Sequence, residues 1–112
     1  MKRIIAVIRE EKFEEVKTAL IEAGCDGMNV STVKGRGRQL GMKESYRGSS
    51  ICIDLIPKTR IELIVNEEDL EDIIQVIQEN ARTGEVGDGK IFVSDVLEVI
   101  RIRTGERGSD AV

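Results

Sequence analysis

The apolar residues of this chain arrive in short runs of two different periods, and that alternation limits the fold more than any other feature. Ile and Val account for 26 of the 112 residues, and they bunch where strands buried on at least one face need them. Ile4 to Ile8 is the first run. Phe13, Val16, Leu20 and Ala23 then recur at three- and four-residue spacing with Gly24 behind them, which predicts an amphipathic helix closed by a left-handed cap. Met28 to Val33 reads as a second strand, with Met28, Val30 and Thr32 on one side and Asn29, Ser31 and Val33 on the other. The apolar pattern resumes at Ile51 to Ile56, breaks at Pro57 and runs again through Ile61 to Val65.

Asn66 reads as a helix N-cap, and Glu67, Glu68 and Asp69 suit the positive end of a helix dipole. Leu70, Ile73, Ile74, Ile77 and Ala81 form the buried stripe of that second helix, which Gly84 terminates. A glycine-rich turn from Gly84 to Gly89 leads into a strand at Lys90 to Val93, and Val99 to Arg103 reads as a last extended segment. The order is a βαβ unit given twice. It predicts an α+β, ferredoxin-like double βαβ fold, one domain over residues 1–112, with two helices on one face of an antiparallel sheet. A content of 40% apolar and 34% charged residues suits a soluble globular domain.

The absence of histidine closes several chemistries. Neither a Ser-His-Asp or Cys-His nucleophile system nor a His-containing zinc site can be built. Cys25 and Cys52 have no CxxC spacing and are read as reduced interior thiols. MKRIIAVIREE offers only a five-residue apolar run, too short for a signal-peptide core or a membrane span, so a cytoplasmic location is expected.

From Gly35 to Ser50 the periodicity collapses into GRGRQLGMKESYRGSS, with four glycines and three large apolar residues, Leu40, Met42 and Tyr46. A long exposed loop is expected, and loops of that length inside a domain usually carry function. Charge is segregated as well. Seven acids and no Lys or Arg lie between Ile61 and Ala81, whereas Lys34 to Arg47 holds five basic residues and one Glu within a net charge of −4. A basic loop on an acidic body suggests a docking element steered by electrostatics.

TGEVGDGKI satisfies the G-x-x-x-x-G-K part of a phosphate-binding loop through Gly84, Gly89 and Lys90. Ile91 replaces the Ser or Thr that would hold magnesium, and the loop is read as running from helix to strand, so this is not a P-loop NTPase. The turn is either a phosphate cradle or a tight connection that needs glycine for its angles. In VIRIR, alternation places Arg101 and Arg103 on one face and Ile100 and Ile102 inward on the other. The arginine pair either joins Lys90 around a polyphosphate or lies on a solvated edge. An RNA-recognition module shares this fold order and is the alternative reading. It stacks bases on strand aromatics, and the strands read as central, IELIV and GKIFVSDV, offer Phe92 alone. That, with the negative net charge, speaks against nucleic acid as a partner.

Three blocks, VKGRGRQLGMKESYRG at 33–48, TGEVGDGKIFV at 83–93 and VIRIRTGE at 99–106, resemble the PII signal-transduction proteins of nitrogen control. The resemblance covers essentially the full chain. It implies a compact homotrimer of ferredoxin-like subunits that binds ATP or ADP in clefts between subunits, a regulator and not an enzyme. The family's T-loop corresponds to about Gly37 through Leu55, its B-loop to Thr83 through Lys90, and its C-loop to the stretch around Arg101 to Glu106.

By resemblance, Gly87, Asp88, Gly89 and Lys90 cradle the nucleotide phosphates with Arg101, Arg103, Gly37, Arg38 and Gln39. Met28, Asn29, Glu62 and Ile64 fall at the adenine and ribose, with Asn29 where Thr is usual. The resemblance also implies 2-oxoglutarate as effector on a magnesium ion carried by ATP, with Gln39 as metal ligand, Gly41 and Gly87 nearby, and Lys58 pairing with the distal carboxylate. An ammonium transporter is the implied partner, with glutamine synthetase or another nitrogen enzyme as a further one. Docking would use Tyr46, Arg47 and Ser49, and the protein would meet the membrane only through the transporter. The family's uridylylated tyrosine has its place at Ile51, which excludes that modification, while Ser49 matches a serine phosphorylated in cyanobacterial members. Arg36, Leu40 and Glu10 stand where Phe, Lys and Pro are frequent.

Overall fold

The computed structural model describes residues 1–36, 43–46, 49–52 and 55–112, and side chains over 1–36 and 55–112. The elements are β1 (Lys2–Arg9), α1 (Phe13–Glu22), β2 (Asn29–Gly35), β3 (Lys43–Tyr46), β4 (Ser49–Cys52), β5 (Ile56–Val65), α2 (Leu70–Ala81) and β6 (Gly89–Asp95). β2, β5, β1 and β6 form an antiparallel sheet in that spatial order, and β3 pairs with β4 separately. This is the ferredoxin-like double βαβ arrangement that the order of apolar runs predicts.

Alternation along the two central strands sorts their residues by face. Ile4, Ala6 and Ile8 of β1 and Ile61, Leu63 and Val65 of β5 are buried beneath Val16 and Leu20 of α1 and Ile73, Ile77 and Ala81 of α2. The intervening residues, Arg3, Ile5, Val7 and Arg9 on β1 and Lys58, Arg60, Glu62 and Ile64 on β5, belong to the helix-free face. Helix α1 ends as predicted. Gly24 takes φ +90°, its N–H donates to the Ile21 carbonyl, and the Cys25 N–H reaches back to Leu20 at 2.8 Å. That is a Schellman closure, and Cys25 packs against the core behind it.

The structure departs from the sequence reading at several elements. Pro57 does not break a strand, because β5 runs unbroken from Ile56 to Val65. β1 ends at Arg9 opposite Lys58, so at Pro57 only β2 lies alongside and the missing N–H disturbs one ladder at most. The stretch expected as loop, Gly35 to Ser50, contains β3 and the first two residues of β4, which pair from Lys43↔Cys52 through Tyr46↔Ser49. Four residues against four held by backbone bonds leave no apolar alternation to read. Asn66 makes no side-chain cap bond and precedes a 3₁₀ turn at Glu67–Asp69. Helix α2 stops at Ala81, and Gly84, at φ +91°, belongs to the loop after it.

The largest correction concerns Val99 to Arg103. It is not a strand, and Ile100 and Ile102 do not go inward: Ile102 is 99% exposed and Ile100 48%. The segment folds on itself, with Ile100 bridged to Arg107, the Arg101 N–H donating to the Glu106 carbonyl at 2.9 Å and the Gly105 N–H to the Arg101 carbonyl at 2.7 Å. Gly105 and Gly108, both at positive φ, allow that reversal. β6 is an edge strand, so Phe92 is not central. Among the described residues no helix is long and apolar enough to cross a membrane.

Candidate functional site

The glycine turn and the open end of the sheet form one site. Helix α2 ends at Ala81, β6 begins at Gly89, and the loop between them passes the ends of β1 and β5. This is the helix-to-strand direction that already set the loop apart from a P-loop. Gly89 lies opposite Ile8 at φ +101°, and a Cβ there would stand 1.7 Å from the Val7 carbonyl oxygen. Only glycine lets β6 leave the loop at that angle. Gly87 also has positive φ, at 103°, so Asp88 is turned between two left-handed residues.

The Asp88 carboxylate points back into its own loop. It accepts the Thr83 and Gly84 N–H groups at 2.9 Å each, the Thr83 hydroxyl, and Arg9 Nε at 3.0 Å. The Thr83 hydroxyl foremost, with Arg9 and the two amides, holds its carboxyl well below the usual range against the opposing effect of burial. Arg9 Nη2 also donates to the Val86 carbonyl at 2.7 Å. Lys58, buried at 8% exposure, donates through Nζ to the Gly87 carbonyl. Burial lowers the Lys58 pKa, and the neighbouring Arg9 lowers it further. A cavity of about 690 Å³ opens here, lined by Lys58, Gly87, Asp88, Gly89 and Lys90 together with Val7, Ile56, Phe92, Glu85 and the end of β2 at Gly35 and Arg36.

The predicted site residues divide into groups. Lys58, Gly87, Asp88, Gly89 and Lys90 come together at this cavity. Asn29 and Glu62 are register partners across β2 and β5, and Ile64 follows Glu62 on the same face. Arg3 at 2.9 Å and Arg60 at 2.8 Å both donate to the Glu62 carboxylate, and these bonds keep its pKa low. Met28 precedes β2 and packs against the core. Arg101 and Arg103 lie in the C-terminal turn rather than on a sheet face, and Arg101 pairs with Glu106 at 3.3 Å. Gly37, Arg38, Gln39, Gly41 and Arg47 lie outside the described residues, and Tyr46 and Ser49 are described by backbone register alone.

Sequence reasoning missed Arg9, Thr83, Arg3 and Arg60. Thr83 and Asp88 carry a faint signal, a hydroxyl and a carboxylate at the two ends of a glycine loop. Arg9 carries none, since it meets the loop 79 positions later in the chain.

A cavity that combines a glycine loop, a self-paired acid and two lysines can hold a multiply charged anion. The profile of the family described as Nitrogen regulatory protein P-II matches residues 1–106. The chain belongs to the PII family. It is 60% identical over 112 residues to the Nitrogen regulatory protein P-II 1 of Methanothermobacter thermautotrophicus, covering all of this chain and 97% of that protein. The Nitrogen regulatory protein P-II of Mesorhizobium japonicum is 51% identical and that of Nostoc punctiforme 49%, each covered over its whole length together with all of this chain. Membership in PII assigns the chain a nitrogen-regulatory signalling role.

Proposed function

We propose that the chain acts as a homotrimeric sensor that binds ATP or ADP at the glycine loop and reports the bound state through the segment between β2 and β5. The observation that carries this reading is the loop itself: of its two acids, Glu85 and Asp88, Asp88 is already satisfied by Thr83, Gly84 and Arg9, so Lys58 and Lys90 line the cavity without a competing free carboxylate from Asp88. A polyphosphate fits such a site through charge-assisted contacts. Glu62 and Asn29, paired on the same face, would take the base and ribose end.

Magnesium would be held by the nucleotide phosphates with Gln39, and there it would supply positive charge to attract a dicarboxylate effector. Lys58 would pair with one carboxylate of 2-oxoglutarate, a step that competes with its bond to the Gly87 carbonyl. Effector binding then changes the loop's anchoring, and only such differential contact can shift the segment between two states. The output is docking on an ammonium transporter or a nitrogen-assimilation enzyme by a cytoplasmic protein.

The trimer is supported by the helix-free face. Phe92 is 53% exposed there beside Ile5, and Arg3 Nε is buried without a hydrogen-bond partner. Titration calorimetry with ATP and ADP, each with and without magnesium and 2-oxoglutarate, tests the proposal. Binding by wild type with a roughly tenfold or greater loss in Lys90→Ala is expected from one lost charge-assisted contact. No heat with either nucleotide would overturn it.

A further inference from the structure

The contact that fixes the glycine loop to the sheet comes from the last residue of β1. Arg9 is 18% exposed and spends its guanidinium in two directions, Nε to Asp88 at 3.0 Å and Nη2 to the Val86 carbonyl at 2.7 Å. Its Nη1 lies 3.8 Å from Glu11, which faces it from the turn after β1. Asp88 in turn gathers the amides of Thr83 and Gly84 on its other oxygen. One planar fork therefore ties the start, the middle and the end of the loop to a strand of the core sheet.

We infer that Arg9 is the positioning residue of the phosphate loop: it holds Asp88 turned inward and the Val86 carbonyl fixed, without itself contacting the nucleotide. The inference rests on the reading of the loop as a polyphosphate site. Two consequences follow from removing the fork. Asp88 loses a cationic partner and becomes a carboxylate facing the bound anion, and the loop loses both of the described bonds that it takes from a side chain of β1. A lysine keeps the charge but offers a compact ammonium, which cannot match the two fixed directions of the guanidinium.

The test uses the full chain and two readouts. Amide hydrogen exchange on the nucleotide-free protein reports the loop directly, and calorimetry with ATP reports its use. In Arg9→Met, exchange at Thr83 and Gly84 should quicken by about tenfold while the amides of α1 and α2 keep their wild-type rates, and ATP affinity should fall by about tenfold. Arg9→Lys should recover part of both. Asp88→Asn should quicken the Thr83 and Gly84 amides as Arg9→Met does, and at those amides the double variant should be little worse than either single one, because both remove the Arg9–Asp88 bond; its ATP affinity should fall less than that of Arg9→Met, because no bare carboxylate then faces the anion. Wild-type exchange in Arg9→Met, or quickening that spreads through both helices, overturns the positioning role. A wild type that binds no nucleotide overturns the polyphosphate reading. If wild type binds, Lys90→Ala weakens it and Arg9→Met does not, this inference alone falls.

Discussion

Gly89 is where the site depends most sharply on one side chain, or on its absence. The 1.7 Å approach of a virtual Cβ to the Val7 oxygen is backbone against backbone, and φ +101° is unfavourable for any other residue. Neither can relax without parting β6 from β1. Gly89→Ala should therefore destabilise the fold by about 2–4 kcal/mol, read as a lower urea midpoint. Asp88 makes a second prediction, through pH. Its folded pKa lies below the model-compound 3.8, so the stability it contributes is fully present above about pH 4 and is lost as pH falls through the folded value. Asp88→Asn should be less stable than wild type at pH 7, and the gap should narrow in urea titrations at pH 3 and below. A gap that stays constant would mean that the carboxylate's charge plays no part.

Elements were legible where a period repeated often enough to be distinctive. The α2 stripe recurs over three turns, and Ile73, Ile77 and Ala81 are buried as their spacing predicts. Ile77 has no exposed surface, so Ile77→Ala should cost about 2–5 kcal/mol with an unchanged urea dependence, the signature of a cavity in an otherwise intact core. In VIRIR the alternation spans five residues only. A strand and one arm of a tight reversal share that pattern, and the glycines at 105 and 108 decided for the reversal. Pro57 misled for a different reason: its effect depends on how many neighbours the strand has at that position, which is a property of β1's length. The glycine loop was visible as letters, yet the bonds that shape it join residues far apart in the chain. Local pattern cannot show that Arg9 and Asp88 meet.

For the whole molecule, the helix-free face decides what a single chain lacks. Among the described residues the helices cover one side of the sheet, and the other presents Ile5, Val7, Ile64 and Phe92 around the Arg3–Glu62–Arg60 network. Apolar strand residues flanking a charged cluster suit contact with copies of the same chain, where symmetry lets one surface serve every subunit. Sedimentation velocity should accordingly give a mass three times that of the 12.4 kDa chain. Phe92→Asp is the informative variant, because a residue already half exposed can accept a carboxylate without loss of the fold, whereas an interface that buries it cannot accept an unpaired charge. The variant should sediment as a smaller species with wild-type helix content by circular dichroism. A Phe92→Asp protein that keeps the full trimer mass would place the subunit contacts on some other surface than the open face of the sheet.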